Sequence, residues 1–232
     1  MSRSRSATHV LDNPIWHALT TTHAGFAEGD ALARRYPPDV TPLAATAAPT
    51  ARGYAALAPV LQPQRRAALF LAEPPKLPDG WHLERATDVW QMIRTDDAVA
   101  VPEFPMVDML PDDAAEMVAL AMRAQPGPLT LRALELGRFL GIRSEGQLVA
   151  LAGERLRLNG YVEISGVCTH PDHRGRGYAQ ALVAAVARRI TREASVPFLH
   201  VNTANASAAY VYEKLGFRTR RRMQIAVLTA PG

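Results

Sequence analysis

The chain has 232 residues, 48 % of them hydrophobic, and carries a formal net charge of +4. This length and apolar share indicate one large domain, or one domain with an extension, and no stretch approaches the roughly 20 apolar residues that cross a bilayer. Nearly all the positive charge is arginine, because lysine occurs only at Lys76 and Lys214. The arginines are spread along the chain without a DNA-reading motif, so we expect neither a membrane nor a nucleic acid as partner.

Two further observations concern location. The single cysteine, Cys168, cannot form an internal disulfide, which fits a reducing compartment. No apolar run follows the N-terminal "MSRSRSATHV", so a secretory signal is not expected. The sequence therefore predicts a cytoplasmic protein.

The first part of the chain is rich in proline and alanine. "YPPDVTPLAATAAPTARG" (Tyr36–Gly53) disfavours regular structure because proline removes backbone donors. After it we predict a short helix in "GYAALAPVL", a strand in "RRAALFLAE", and a strand followed by a helix in "WHLERATDVWQMI". No catalytic constellation is recognisable here. We therefore predict an accessory region over residues 1–102 and the functional domain over residues 103–232.

The second part alternates between strand and helix patterns. "EFPMVDML" alternates as a strand does, and "PDDAAEMVALAMRAQ" begins with Pro111 and acidic residues, which favour a helix start. "ELGRFLGIRS" and "GQLVALAGERLRL" read as a hairpin, and "YVEISGVCTH" is the next strand. A helix from Gly177 to about Arg192, the strand "PFLHVN", a helix capped by Asn205 and Gly216, and the strand "FRTRRRMQIAVL" follow. The order β-α-β-β-β-α-β-α-β predicts an α+β (α/β) fold with a mixed sheet.

The loop "THPDHRGRGYAQAL" (Thr169–Leu182) leads from a strand into a helix. A helix start has N–H groups without internal partners, and its dipole favours an anion there. Glycines allow a bulky group to approach, and Arg174 and Arg176 add positive charge. The loop lacks the G-x-x-x-x-G-K-[ST] and G-x-G-x-x-G patterns. It therefore indicates either a phosphate site of another kind or a tight strand-to-helix turn.

The residues around the loop decide between these readings. R-x-x-G-x-A at Arg174–Ala179 follows the strand "VCTHP", and N-x-x-A with Y-x-x-x-G-F follows in "NASAAYVYEKLGF". This combination resembles the GNAT superfamily of acyl-CoA-dependent N-acyltransferases over roughly residues 103–228. The resemblance implies a mixed, mostly antiparallel twisted sheet flanked by helices. Residues 1–102 resemble the accessory or degenerate GNAT-like first half of the glycine N-acyltransferase-like branch.

The resemblance also implies where acetyl-CoA, the expected co-substrate, is bound. The pyrophosphate is expected on the loop and helix start, and the pantetheine arm beside the preceding strand, which a bulge at Ser165–Gly166 separates from its neighbour. Asn205 matches a residue that bonds the pantetheine region, and Ala208 allows close approach. The expected cofactor-binding residues are Val167, Cys168, Thr169, Arg174, Gly175, Arg176, Gly177, Tyr178, Ala179, Gln180, Asn205 and Ala208.

The implied reaction is direct attack of an amine on the thioester. An alkylamine with a pKa of about 10.4 is mostly protonated at neutral pH, so a base or a water relay is required. Glu163 matches the family's glutamate base, with Glu103, Glu135 and Glu154 as weaker alternatives. A backbone N–H at Val167 or Cys168 is expected to stabilise the oxyanion.

The leaving thiolate needs a proton, and Tyr212 matches the family's general-acid tyrosine. Tyr210, two residues away on another helix face, is the weaker candidate. No His or Asp pattern frames Cys168, so a covalent acyl-enzyme is not expected. His170, His173 and His200 fit no zinc spacing, and no metal is expected.

The C-terminus departs from the family pattern. Only 15 residues follow Phe217, which leaves room for one long strand rather than two. We therefore expect Ala67–Ala72 to supply the missing edge strand of the sheet. Arg123 or Arg132 could meet a substrate carboxylate.

These features predict an N-acetyltransferase whose acceptor is a small-molecule amine or amino acid. A protein lysine or N-terminus is the alternative acceptor. A non-catalytic acyl-CoA-binding module is the alternative from another functional class. A homodimer is left open.

Overall fold

A computed structural model describes residues 9–95, 101–124 and 127–232. Most of the N-terminal stretch "MSRSRSATHV" lies outside these ranges. The helices within them are α1 (Pro14–Thr20), α2 (Ala51–Val60), α3 (Ala114–Ala124), α4 (Tyr178–Arg192) and α5 (Ala206–Lys214). The strands are β1 (Glu28–Gly29), β2 (Ala33–Arg35), β3 (Ala44–Thr46), β4 (Arg66–Leu71), β5 (His82–Arg94), β6 (Val107–Asp108), β7 (Phe139–Ser144), β8 (Gln147–Leu158), β9 (Tyr161–Thr169), β10 (Val196–Asn202) and β11 (Phe217–Thr229).

The main sheet has the strand order β4-β11-β5-β10-β9-β8-β7-β6, and β1-β2-β3 form a small second sheet. Neighbouring strands of the main sheet are antiparallel, except that β9 and β10 run parallel. The predicted fold, a mixed and mostly antiparallel sheet flanked by helices, is confirmed. The predicted element order of the second part, from β6 to β11, is also confirmed.

The N-terminal region contributes two strands to the main sheet. The edge strand β4 pairs with β11, with Ala68 opposite Val227, so the predicted edge strand is confirmed. β5 lies between β11 and β10. The predicted division into residues 1–102 and 103–232 stays a prediction, while the sheet itself draws strands from both parts.

One local prediction is wrong and another is confirmed only in part. "WHLERATDVWQMI" contains no helix, because β5 runs unbroken as a strand of 13 residues that is hydrogen-bonded on both sides. Those ladder bonds override the weak helical pattern, as tertiary context commonly does. "EFPMVDML" contains only the two-residue β6, because just Val107 and Asp108 pair with β7.

The two faces of the main sheet are covered by different parts of the chain. α4 packs Leu182, Val186 and Ile190 against Val162 and Ile164, and this cluster is fully or almost fully buried. Each such side chain contributes about 1.5–3 kcal/mol by burial. The opposite face is covered by the N-terminal region at one end and by α3 at the other. No helix in the described ranges combines the length and apolarity needed to cross a bilayer.

Candidate active site

The parallel strands β9 and β10 separate in the middle of the sheet. Their pairing extends only as far as Ile164 opposite Leu199, although β9 continues to Thr169 and β10 to Asn202. The edge of β9 beyond Ile164 therefore faces a gap instead of a strand. An extended ligand with amide groups can add to such an edge through backbone hydrogen bonds.

A bulge in β9 accompanies this separation. Leu151 lies opposite Cys168 and Gly153 opposite Ser165, so Gly166 and Val167 together face a single residue of β8. Gly166 has φ +65°, a left-handed conformation that favours glycine. The bulge is therefore at Gly166–Val167, one residue further along than the predicted Ser165–Gly166, and Val167–Thr169 lie along the gap.

The loop after β9 turns into α4 through two left-handed glycines. Gly175 and Gly177 have φ values of +78° and +84°. A Cβ on Gly175 would have no atom within 4 Å, so glycine is needed there for its backbone conformation rather than for space. Gly177 is the N-cap of α4, and no side chain of the described residues caps it. The first N–H groups of α4, at Tyr178, Ala179 and Gln180, therefore point out of the helix without internal partners.

Two cations accompany these N–H groups. Arg174 and Arg176 are exposed, and neither guanidinium has a hydrogen bond or ion pair within the part of the chain that the structure describes. An arginine without a carboxylate partner remains available for an anion, and a helix start adds its own positive potential. The loop therefore combines the features of a phosphate site.

Side chains from three elements converge next to this loop. Val167 of β9, Tyr178 of α4, and Ala208 and Tyr212 of α5 all pack on the same buried cluster. Asn205 caps α5, since its Oδ1 accepts hydrogen bonds from the Ala208 N–H (3.1 Å) and the Ser207 hydroxyl (3.0 Å). Its Nδ2 remains as a donor toward a ligand.

Tyr212 has the environment of a proton donor. Burial raises the pKa of its phenol to about 12, so the hydroxyl stays protonated throughout the physiological range. Its ring contacts Phe217 edge to face, with 6.2 Å between the centroids. Tyr210 is 55 % exposed, and Lys214 lies over its ring. The geometry thus favours Tyr212 over Tyr210 for a role at a buried leaving group.

Glu163 lies on the opposite face of the sheet from Tyr212, because it alternates with Val162 and Ile164, which face α4. Its buried carboxylate accepts two hydrogen bonds from Arg155, at 2.8 and 2.7 Å, and one from His200 Nδ1 at 2.7 Å. Burial opposes ionisation, yet the charge and hydrogen bonds of Arg155 and the His200 hydrogen bond lower the pKa of Glu163 to about 2. The carboxylate is therefore ionised but weakly basic.

The alternative carboxylates are arranged differently. Glu103 is exposed. Glu135 is held by Arg132, which also bonds Asp39. Glu154 is buried among three arginines, with the Arg157 contact at 2.8 Å. The contacts of these carboxylates within the described residues place none of them at the gap between β9 and β10.

The remaining nucleophile and ligand candidates are inert or dispersed. Burial raises the pKa of the Cys168 thiol to about 12, which disfavours the thiolate that covalent catalysis requires. His200 is buried against Glu163, while His170 and His173 contact each other by the loop. Over the described ranges, no three His, Cys, Asp or Glu side chains are grouped to hold a metal ion.

Comparison with known proteins assigns the family. A family model described as FR47-like protein matches residues 139–225. A crystal structure from Novosphingobium aromaticivorans, assigned to the GNAT family of acetyltransferases, is 36 % identical, and the alignment covers 97 % of this chain and 100 % of that one with a TM-score of 0.89. The chain belongs to the GNAT family. It is accordingly an acyltransferase, and the acetyl group is what GNAT acetyltransferases transfer.

Other GNAT structures share the fold at lower identity. A GCN5-related N-acetyltransferase from Kribbella flavida is 19 % identical, covers 93 % of both chains and has a TM-score of 0.62. A GNAT acetyltransferase from Colwellia psychrerythraea is 14 % identical, covers 65 % of this chain and 58 % of that one, and has a TM-score of 0.52. Among curated proteins, no sequence gives a significant match.

Sequence reasoning missed one residue of this GNAT site, Arg155. The β8–β9 register is irregular between Glu154 and Arg157, so Arg155 and Leu156 together lie opposite Glu163. Continuing the pairing of Glu154 with Ile164 by one residue places Arg155 across from Glu163, so the ion pair follows from the pairing of β8 with β9. No motif in the sequence shows which residues of β8 and β9 are paired, so the sequence pattern does not identify this arginine.

Proposed function

We propose that this GNAT enzyme is an N-acetyltransferase that moves the acetyl group of acetyl-CoA to the primary amine of a small molecule. The observation that carries the proposal is the gap between β9 and β10, which opens beside the uncapped start of α4 with its free Arg174 and Arg176. A linear co-substrate with a pyrophosphate at one end and amides in its arm fits both features.

The loop and the gap would together hold acetyl-CoA, the loop at its pyrophosphate and the gap along its pantetheine arm. The pyrophosphate is bound by the N–H groups at the start of α4 and by the two arginine side chains, which are Tyr178, Ala179, Gln180, Arg174 and Arg176. The left-handed Gly175 and Gly177 lie between these groups. The backbone of Val167–Thr169 bonds the pantetheine amides, and Asn205 adds its Nδ2 from α5. Ala208 leaves room beside the arm, since a longer side chain there would fill the gap.

The acceptor amine must lose a proton before or during attack. Glu163 is a poor direct acceptor, because Arg155 and His200 occupy its oxygens and its pKa is lowered to about 2. We therefore favour a water relay as the base, with Glu163 holding Arg155 in place. The N–H of Val167 or Cys168, beside the bulge, donates to the oxyanion as it forms.

Collapse of the tetrahedral intermediate breaks the C–S bond. Tyr212 donates its phenolic proton to the leaving sulfur, and solvent returns a proton to the phenolate. The amine proton leaves through the water relay, so charge and protons balance in one direct transfer without an acyl-enzyme. The high pKa of the Cys168 thiol agrees with that route.

The small cavity that borders the bulge favours a small acceptor over a protein lysine or N-terminus. Its volume is about 40 Å³, which is room for roughly three water molecules. A non-catalytic acyl-CoA-binding module would need the gap and the loop, but not a partly buried, protonated Tyr212 beside them. The glycine N-acyltransferase-like branch and the cytoplasmic location remain predictions of the sequence.

Two measurements test the proposal. Acetyl-CoA should raise the melting temperature, because a ligand that binds only the folded state stabilises it. Free thiol should then be released from acetyl-CoA only when an amine is added. Binding without release by any small amine in a broad panel would favour the non-catalytic module, and release only with peptides would favour the protein acceptor.

A further inference from the structure

One cavity lies directly beside the bulge of β9. Ser165 and Gly166 form one side of it, and the N-terminal residues Val40 and Thr41 form another. The Thr130 hydroxyl donates to the Val40 carbonyl at 2.7 Å, which fixes the N-terminal wall to the loop after α3. The cavity therefore begins where the thioester carbonyl would lie under the proposed function.

Most of the cavity wall is apolar. Leu129, Ala133, Leu136 and Phe139 contribute to it, together with backbone of neighbouring residues. Arg155 and Glu154 are the charged residues among those that line it. The charge that faces the cavity thus depends on how these two side chains are neutralised.

Glu154 is fully neutralised by its surroundings. Its carboxylate is 1 % exposed and bonds Arg157 at 2.8 Å, with Arg189 at 3.4 Å and Arg138 at 3.6 Å. The same arginines also pair with Glu193 and Asp108, so three guanidinium groups are matched by three carboxylates. A ligand in the cavity therefore meets no free negative charge from Glu154.

Arg155 retains an unused edge. It binds Glu163 through Nε and Nη2, and its guanidinium carbon lies 5.4 Å from the centre of the Phe70 ring. Within the described residues Nη1 has no hydrogen-bond partner, and 23 % of the side chain is exposed. Glu163 occupies the Nε–Nη2 edge of the guanidinium, so the N–H groups on the Nη1–Nη2 edge remain free to donate.

The size of the cavity matches a small anionic group. About 40 Å³ holds roughly three waters, which is close to the space that a carboxylate needs. Phe70 behind the guanidinium and Glu163 beside it keep Arg155 from turning toward solvent. The arginine is thus pre-positioned to receive two acceptor oxygens.

We propose that Arg155 selects an acceptor that carries a carboxylate close to its amine, with the carboxylate in this cavity and the amine at the bulge. This inference rests on the proposed acetyl transfer and adds the acceptor's chemical class to it. In this arrangement Arg155 binds two carboxylates, one from Glu163 and one from the acceptor. The reaction itself is unchanged, since the carboxylate stays intact.

The test compares acceptors that differ only in this charge. Thiol release from acetyl-CoA is measured with β-alanine and with β-alaninamide, and with alanine and alaninamide. We expect kcat/KM to be at least about ten-fold higher for the acids, mainly through KM, as for loss of a charge-assisted hydrogen bond. Equal or better turnover of the amides would overturn the proposal while leaving acetyl transfer intact.

Variants test whether Arg155 causes the preference for acceptors that carry a carboxylate. Glu163→Gln alone should retain it, because the guanidinium keeps its charge and the amide oxygen at position 163 can still accept a hydrogen bond that holds it. The double variant Arg155→Gln, Glu163→Gln removes both charges of the buried pair and leaves no unpaired one, so it should fold, bind acetyl-CoA as before and lose the preference. Retention of the preference in the folded double variant would refute the role of Arg155.

Two more variants complete the design. Arg192→Gln, at the exposed end of α4, is the matched control and should leave the preference unchanged. Arg123→Gln tests the rival arginine, and loss of the preference there would contradict the proposal. Absence of thiol release with every amine, acid or amide, would instead count against the proposed function itself.

Discussion

Gly166→Ala should cost far more stability than an ordinary glycine replacement. Gly166 has φ +65°, and a Cβ added there would lie 2.9 Å from Phe139 Cε1. The ring cannot move away, because it is buried and a Cβ built on Gly153 would lie 2.2 Å from its Cγ. The left-handed conformation costs about 1–2 kcal/mol and overpacking typically about 1–3 kcal/mol, so the expected loss is about 2–5 kcal/mol.

Gly160→Ala is the matched control for this prediction. Gly160 has φ +78°, but a Cβ there would have no atom within 4 Å, so only the conformational cost of about 1–2 kcal/mol applies. The free energy of unfolding of both variants is measured by urea denaturation. Equal losses in the two variants would refute the argument that the Phe139 ring is wedged against the bulge.

Three further predictions concern the site. Tyr212→Phe should lower kcat with little change in acetyl-CoA binding, and unchanged turnover would remove Tyr212 from the acid role. Cys168→Ala should retain turnover, because transfer is direct; loss of activity in the folded variant would point to an acyl-enzyme. The pKa of Glu163 is lowered from 4.5 to about 2, and burial lowers the pKa of His200 below 6.5, so both groups stabilise the fold above these ordinary values and lose that contribution on acidification. Arg155 and the buried Tyr36 are the other neighbours of Glu163. The stability deficit of Glu163→Gln should therefore narrow as the pH falls from about 4.5 toward 2, and a constant deficit in urea unfolding across that range would contradict this.

The loop that we propose to bind phosphate could be predicted from sequence because its determinants are local. Two glycines, two arginines and a helix start follow one another in Arg174–Tyr178, and the Asn205 cap needs only its own helix. β4 was predicted as the missing edge strand from the short C-terminus and an apolar run. Each of these inferences uses neighbours in sequence or a count of residues.

The acceptor side could not be predicted, because it is assembled from distant segments. Arg155 reaches Glu163 through the pairing of β8 with β9, and the cavity wall at Val40 comes from the N-terminal region. The helix expected within β5 was wrong for a related reason, since pairing with β10 and β11 outweighs a weak local pattern. Long-range pairing therefore decides the part of the site that we propose to distinguish one acceptor from another.

Calorimetric titration of acetyl-CoA and of S-acetylpantetheine, which lacks the pyrophosphate, tests the central claim most directly. Both are titrated into the unmodified protein and into the double variant Arg174→Gln, Arg176→Gln. We expect the double variant to bind acetyl-CoA at least about ten-fold more weakly, through loss of charge-assisted hydrogen bonds, and to bind S-acetylpantetheine as the unmodified protein does. No binding of acetyl-CoA to the unmodified protein, or unchanged binding to the double variant, would contradict the placement of the co-substrate on this loop.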